Sequence, residues 1–172
     1  MLLYVPALRL RRTMDKVKGG ASLDQKDKLL LKLLQEDAQL SFTAIGTQLE
    51  LTKMSVSNRI KRLKRLGILE GSHYRVNPER VGHDYLLVSQ VTCETSSRNT
   101  EKVAASIAKI PEVQTVYLTF GPHDIIFIAR TRDKESAKDL LSDITDIDGI
   151  RSTLTTIPHT VVKESLQINL ED

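Results

Sequence analysis

The sequence is poor in cysteine, in aromatic residues and in long apolar runs, and each shortage excludes a class of protein. Only one of the 172 residues, Cys93, is a cysteine, so no intramolecular disulfide and no cluster of thiolate metal ligands can form. No apolar run approaches the roughly 18 residues that a membrane-spanning helix needs. We therefore expect a globular, intracellular protein of the cytoplasm, without a membrane partner.

Signatures of catalysis are also absent. The histidines show neither the i, i+4 pairing nor the neighbouring carboxylates of a metal site, and there is no nucleophile elbow, P-loop or dinucleotide fingerprint. Cys93 lies in a predicted strand, where a structural thiol is the more common role. The sequence thus predicts no catalytic residue, no metal and no cofactor. The remaining enzyme hypothesis is a small, ferredoxin-like catalytic domain joined to a basic module.

The N-terminus begins apolar and then becomes basic at Arg9, Arg11 and Arg12. A secretory signal has the opposite order, so residues 1–21 are predicted to be an extension. Met14 is an alternative start, which the intact mass of the native protein would decide.

Charge is distributed unevenly along the chain. Residues 1–80 contain 16 Lys and Arg against 8 Asp and Glu, a net charge of +8, whereas residues 81–172 contain 9 against 14, a net charge of −5. Such asymmetry suggests that one half faces a polyanion. A division into two domains near residue 80 follows, and two uneven surfaces of one domain are the alternative.

The basic half has the pattern of three helices. Asp24, Ser41 and Thr52 are predicted N-caps, and Gly67 is a predicted C-terminal stop. Each helix has an apolar face, and Phe42 is expected in the core. The first helix is predicted to end near Gln39. The predicted core positions are Leu29, Leu30, Leu33, Leu34, Ala38, Ala44, Ile45, Leu49, Val56, Ile60 and Leu63.

A tight turn at residues 50–52 separates the second and third helices, which is the helix-turn-helix arrangement. The third helix is basic and lacks acidic residues. In this motif its N-terminal part enters the major groove of duplex DNA, while later Lys and Arg residues meet phosphates. A solvated basic face is the alternative. The predicted DNA-binding residues are Lys53, Met54, Ser55, Ser57, Asn58, Arg59, Lys61, Arg62 and Arg65. Replacing Arg62 by alanine is expected to lower the salt dependence of binding.

Single-stranded RNA is a less suitable ligand than duplex DNA, because its recognition relies on aromatic platforms, and this half of the chain has only Tyr4, Phe42 and Tyr74.

The acidic half alternates strands and helices. A short hairpin is predicted from Ile68–Leu69 and residues 74–76, followed by strands at 85–93, 113–120 and 125–129 and helices at 99–109 and 134–147. A last extended region begins at Gly149 and runs to Leu170. The order β-α-β-β-α-β defines an α+β, ferredoxin-like domain. The sheet face that no helix covers is expected to bind a second subunit, since a symmetric dimer suits a DNA reader.

Residues 23–69, LDQKDKLLLKLLQEDAQLSFTAIGTQLELTKMSVSNRIKRLKRLGIL, resemble the DNA-binding domain of the Lrp/AsnC (leucine-responsive, feast/famine) transcriptional regulators. The second half resembles their RAM effector domain, with FGPHD and DIDGIRSTLT at two of its motifs. The fold implied is an N-terminal, winged helix-turn-helix domain followed by the RAM domain. The domains implied are an extension (1–21), the helix-turn-helix domain (22–70), a hinge (71–83) and the RAM domain (84–172).

The resemblance also implies partners. It implies double-stranded DNA, a homodimer that assembles to a tetramer or octamer, and a small effector, an amino acid in most members, bound between dimers. The effector residues carried over are Gly121, Pro122, His123, Asp124, Asp139, Thr153 and Thr155. A Gly-containing turn exposes backbone N–H groups to a carboxylate, and Asp124 offers a partner to an α-ammonium. The alternative is that these residues form only a hairpin turn, which Asp124 caps.

Two further functions compete with an effector-controlled regulator. A nucleoid-type architectural protein would bind DNA with little sequence preference and without a metabolite, and the many cations of the third helix permit it. A stand-alone amino-acid sensor is disfavoured by the basic half. Discrimination between an operator and random duplex separates the first rival from the regulator.

Overall fold

A computed structural model describes residues 22–94 and 97–170. The contacts of the chain divide it into two compact units, one formed by residues 22–74 with 164–170 and one by residues 75–94 and 97–163. Within the described ranges, no helix is both long enough and apolar enough to cross a membrane. The predicted extension, with the alternative start at Met14, lies outside the described residues.

The N-terminal unit contains three helices, α1 (Gln25–Glu36), α2 (Phe42–Leu49) and α3 (Lys53–Arg65). All three predicted N-caps are confirmed: the side chains of Asp24, Ser41 and Thr52 accept the backbone N–H groups of Asp27, Ala44 and Ser55. Each cap satisfies one of the amides that the first helical turn leaves without a partner. The local sequence therefore fixes where each helix begins.

One apolar cluster holds the three helices together. It contains Leu30, Leu31, Ile45, Leu49, Val56, Ile60 and Leu63, all buried. The predicted seam of α3 is confirmed, whereas three predicted core positions are wrong. Leu29 and Phe42 are 42% and 37% exposed, and Ala38 lies beyond α1, which ends at Glu36 rather than near Gln39. Leu31 takes the buried place on α1 because the face of the helix is rotated from the predicted stripe.

The predicted hairpin, and with it the wing, is not found in the described residues. Gly67 adopts a φ of +69° and turns the chain back, so that the N–H groups of Ile68 and Leu69 donate to the carbonyl of Leu63 at 3.0 and 3.3 Å. Both side chains then pack on the helical core. They are therefore not available to pair with Tyr74 and Val76, which are exposed.

The C-terminal segment 164–170 belongs to this unit and not to the second domain, where the sequence-based boundary put it. The amide of Gln35 on α1 donates to the carbonyl of Ile168 (3.1 Å) and accepts from its N–H (2.7 Å). Gln167 donates to the Gln35 carbonyl at 3.0 Å, and Leu170 packs against the helical core. Residues 164–170 thus dock on α1 as an extended segment.

The second unit is a four-stranded sheet with two helices. Its elements are β1 (Tyr85–Cys93), α4 (Ser97–Ile107), β2 (Val113–Leu118), β3 (Ile125–Thr131), α5 (Lys134–Thr145) and β4 (Ile150–Thr156). The strand order is β2-β3-β1-β4, and every pair is antiparallel. The predicted βαββαβ topology is confirmed. The final strand is shorter than predicted, because residues 157–170 form no ladder.

Alternate residues of the strands face the two helices. Leu87, Val91, Ile125, Phe127 and Ala129 form a core with residues of α4 and α5. The opposite face carries large exposed side chains, with Tyr117 56% and Leu154 57% exposed. Apolar area of this kind on the free face of a sheet is typical of a surface that binds another protein.

Candidate nucleic-acid interface and effector turn

The exposed side of α3 carries most of the predicted DNA-binding residues. The buried seam of Val56, Ile60 and Leu63 fixes the rotation of the helix. As a result Lys53, Met54, Asn58, Lys61, Lys64 and Arg65 are exposed, and Ser55 and Ser57 are partly exposed. Among the described residues, none of the four cations Lys53, Lys61, Lys64 and Arg65 has a hydrogen-bond or ion-pair partner. These groups are available to phosphates and base edges.

Arg59 and Arg62 differ from the other cations of α3 because carboxylates of α1 and of its N-cap already hold them. Nη1 of Arg59 lies 2.7 Å from Oδ1 of Asp27 and 2.7 Å from Oδ2 of Asp24. Nη2 of Arg62 is paired with Oδ2 of Asp27. The Asp27 side chain is fully buried, and burying a carboxylate is costly unless it is paired and hydrogen-bonded. We name these four residues the Asp–Arg cluster.

The Asp–Arg cluster is electrically neutral, with two carboxylates and two guanidinium groups. It therefore removes two of the six cations of α3 from the net charge that the helix presents. The Arg59 guanidinium, helped by the N–H of Asp27, lowers the pKa of Asp24 below its usual value of 3.8, so Asp24 is ionised at neutral pH. Besides neutralising these charges, the cluster has a structural role, because it ties α3 to α1.

The turn between α2 and α3 has a fixed geometry. Glu50 adopts the left-handed conformation, with a φ of +53°. Nζ of Lys26 donates to the carbonyls of Leu49 and Glu50 at 2.9 and 3.4 Å. These bonds satisfy carbonyls that the end of α2 leaves open. The angle at which α3 is presented is thus set from α1 as well as from the turn.

The predicted effector turn, residues 121–124, lies beside the end of β1. The N–H of Asp124 donates to the carbonyl of Val91 at 2.9 Å, and its Oδ2 accepts the N–H of Cys93 at 2.8 Å. Nδ1 of His123 lies 3.2 Å from Oγ1 of Thr92. Gly121 and Pro122 are exposed. Asp124 therefore braces its own turn against β1, and its second carboxylate oxygen, Oδ1, has no hydrogen-bond partner among the described residues.

The other predicted effector residues lie at different places in the same unit. Thr153 is opposite Val91 in the register of β1 and β4, one strand away from the turn. The Thr155 hydroxyl is 2.8 Å from that of buried Ser89. Asp139 lies on the exposed side of α5, and no described residue bonds to its side chain. Burial raises the pKa of the nearby Cys93 thiol, as expected for a structural cysteine.

The sequence-based prediction missed Asp27 and Lys26. Asp27 follows Asp24 at the spacing of a capping box, and both bonds of that box are present. That spacing in the sequence could have indicated that Asp27 bonds back to the start of α1. The pairing with Arg59 and Arg62 joins residues 32 and 35 positions apart, which no local pattern reveals.

Two family models match the chain. The model of the AsnC-type helix-turn-helix domain matches residues 23–64, and that of the Lrp/AsnC ligand binding domain matches residues 87–168. Together with the three capped helices and the βαββαβ sheet, they define a transcriptional regulator with a DNA-binding domain and a ligand-binding domain. The chain belongs to the Lrp/AsnC family of transcriptional regulators, as its similarity to individual members shows.

The HTH-type transcriptional regulator LrpA of Pyrococcus horikoshii is 34% identical over 129 residues, which cover 74% of this chain and 90% of that protein. Among solved structures, a transcriptional regulator of Neisseria meningitidis in complex with L-Met superposes with a TM-score of 0.82 at 23% identity, covering 87% of this chain and 97% of that one. The leucine response regulatory protein of Mycobacterium tuberculosis gives a TM-score of 0.73 at 26% identity, covering 85% and 99%.

Proposed function

We propose that the protein is a sequence-specific transcriptional regulator whose α3 reads the major groove of duplex DNA and whose assembly responds to an amino acid bound between dimers. The observation that carries the DNA-binding role is the set of exposed, unpaired cations on α3, together with the flexible Met54 and the amide of Asn58 in its N-terminal part. Lysines and arginines supply phosphate contacts, and Asn is suited to pair with adenine.

The salt dependence of binding tests this role. Because the Asp–Arg cluster already neutralises Arg62, the residue to replace is Lys61, which is exposed and unpaired. We expect Lys61→Ala to weaken binding and to make the slope of log K against log salt shallower by about 0.9 for each α3 that contacts DNA. The measurement is fluorescence anisotropy with a 40-base-pair duplex that the wild-type protein has selected from random sequence.

Lys102→Ala is the matched control, because it removes one exposed cation from α4, in the other unit. It should leave the slope unchanged. Equal slopes for the wild type and Lys61→Ala would show that Lys61 does not contact DNA. If Lys61→Ala and Lys102→Ala lowered the slope equally, α3 would contribute only through its net charge.

The proposed assembly is a homodimer formed through the free sheet face, which associates further to a tetramer or octamer. Exposed Tyr117 and Leu154 on that face support it. The effector would bind beside the 121–124 turn, where Oδ1 of Asp124 is left for an ammonium group and the exposed turn offers backbone N–H groups to a carboxylate. The L-Met complex of the Neisseria regulator supports an amino acid as the ligand class. For the effector to control assembly, it must bind one assembly better than another.

A thermal-shift screen of the twenty amino acids tests the effector. A ligand that binds only the folded state raises the midpoint by mass action, and at a hundredfold excess over its Kd it contributes about 2.7 kcal/mol. We expect one or a few amino acids to raise the midpoint, and Asp124→Asn to abolish that rise. The asparagine keeps an oxygen for the Cys93 N–H but loses the negative charge.

Asp143→Asn provides the control, since Asp143 is an exposed carboxylate of α5 in the same unit. Its response should equal that of the wild type. A shift that survives in Asp124→Asn would place the ligand elsewhere. No shift with any amino acid, combined with equal affinity for selected and random duplexes, would favour the architectural DNA-binding protein, which the dense cations of α3 also support.

A further inference from the structure

Asp24 lies on the surface that is proposed to meet DNA, although its charge repels phosphates. An open groove runs along the N-terminal part of α3, and its lining includes Asp24, Met54, Ser55, Asn58 and Arg59. The Asp24 side chain is 54% exposed, in contrast to fully buried Asp27. One wall of the groove that holds the candidate reading residues is thus a solvent-accessible carboxylate.

The bonds of Asp24 divide its two oxygens between separate tasks. Oδ1 caps α1 by accepting the N–H of Asp27 at 2.7 Å, and Oδ2 pairs with Arg59 at 2.7 Å. Arg59 has a second partner in Asp27, also at 2.7 Å. Loss of the Asp24 contact would therefore leave Arg59 anchored, so that the guanidinium stays in place for another anion.

We propose that Asp24 is an internal competitor of DNA for Arg59: it occupies the exposed side of the guanidinium in the free protein, and a phosphate oxygen replaces it in the complex. This inference rests on the proposed DNA binding. A guanidinium presents five donors in a rigid fork, so it can bond to buried Asp27 and to a phosphate together. Asp24 then sets how strongly Arg59 contributes to affinity, without contacting the DNA itself.

The test is Asp24→Asn, because asparagine caps helices as well as aspartate does and leaves Oδ1 available to the Asp27 N–H. The competing charge is removed while the start of α1 is kept. We expect binding to the selected 40-base-pair duplex to become about two- to fivefold tighter at moderate salt, the range set by the strength of exposed ion pairs. The salt slope should steepen, by at most about 0.9 for each α3 that contacts DNA, because the Asp24 carboxylate that is displaced in the wild-type complex takes up a cation and so offsets part of the counterion release, and the asparagine does not.

A double-mutant cycle distinguishes this role from a general effect of charge. In an Arg59→Ala background, Asp24→Asn should no longer steepen the slope, because the group for which it competes is absent. Asp37→Asn removes one exposed carboxylate from the same unit at the other end of α1, and it should leave the slope unchanged.

Each other outcome overturns the proposal. An unchanged slope in Asp24→Asn would make Asp24 a helix cap only, and weaker binding at equal stability would mean that Asp24 holds Arg59 in its reading position. Failure of the proposed function looks different, since the wild-type protein would then show no salt-dependent binding to the duplex.

Discussion

Replacement of Asp27 by asparagine is expected to lower the free energy of unfolding of the helical unit by about 3 kcal/mol, the lower end of the range for breaking a buried ion pair. Asp27 is fully buried and holds both Arg59 and Arg62. The asparagine has nearly the same shape but no charge, so two guanidinium groups would face a neutral amide. These groups are 24% and 38% exposed, and their partial rehydration places the loss at the lower end.

Urea unfolding, monitored by hydrogen exchange at the amides of α1, α2 and α3, would measure this loss separately from the stability of the second unit. Glu36→Gln is the matched control, because it makes the same chemical change at an exposed position of the same helix. It should change stability by less than about 0.5 kcal/mol, as surface substitutions do. A similarly small loss for Asp27→Asn would contradict a stabilising role of the Asp–Arg cluster.

Gly46→Ala is the second large effect that we expect. Alanine is the better helix former by about 1 kcal/mol, yet here a Cβ would lie 2.5 Å from the carbonyl oxygen of Leu51. That oxygen belongs to the backbone of the turn, and it cannot move away without moving α3. We expect a net loss of about 2 kcal/mol, because a contact this short with backbone places the overpacking cost at the upper end of about 1–3 kcal/mol and the helix propensity of alanine returns about 1 kcal/mol; DNA binding should weaken as well.

The control is Gly71→Ala, where nothing lies within 4 Å of the added methyl group. Thermal unfolding and anisotropy with the same duplex would compare the two variants. If Gly46→Ala were as stable as Gly71→Ala, the close packing of α2 against the turn would be disproved.

Local sequence was sufficient for the parts of the fold that local bonds create. The caps at Asp24, Ser41 and Thr52 were predictable because a short polar side chain bonds to an amide three residues later. The strand and helix order of the second unit was predictable because each element has its own apolar period. The prediction of a hairpin was wrong because of tertiary packing: Ile68 and Leu69 pack on the helical core and do not pair with residues 74–76, of which Tyr74 and Val76 are exposed.

The candidate sites show the same division. The position of the basic helix, its exposed face and the turn at residues 121–124 all follow from spacing along the chain. The sequence did not reveal that Arg59 and Arg62 are already paired, nor that Asp124 bonds to the Cys93 amide, because those partners are about 30 residues away. Charge counted along the chain therefore overstated the number of cations that α3 offers to DNA.

By itself, the sequence of this protein determined the two-part architecture, the family and the helix that carries the cations, because periodicity, caps and charge are properties of neighbouring residues. Only the tertiary structure decided which of those cations are free, why Gly46 must lack a side chain, and that residues 164–170 belong to the helical unit. Each of these depends on groups that come within a few ångströms only after the chain has folded. A glycine inside a helix suggests close packing, but the sequence does not name the atom it meets, and a buried carboxylate has no signature before its distant partners are in place.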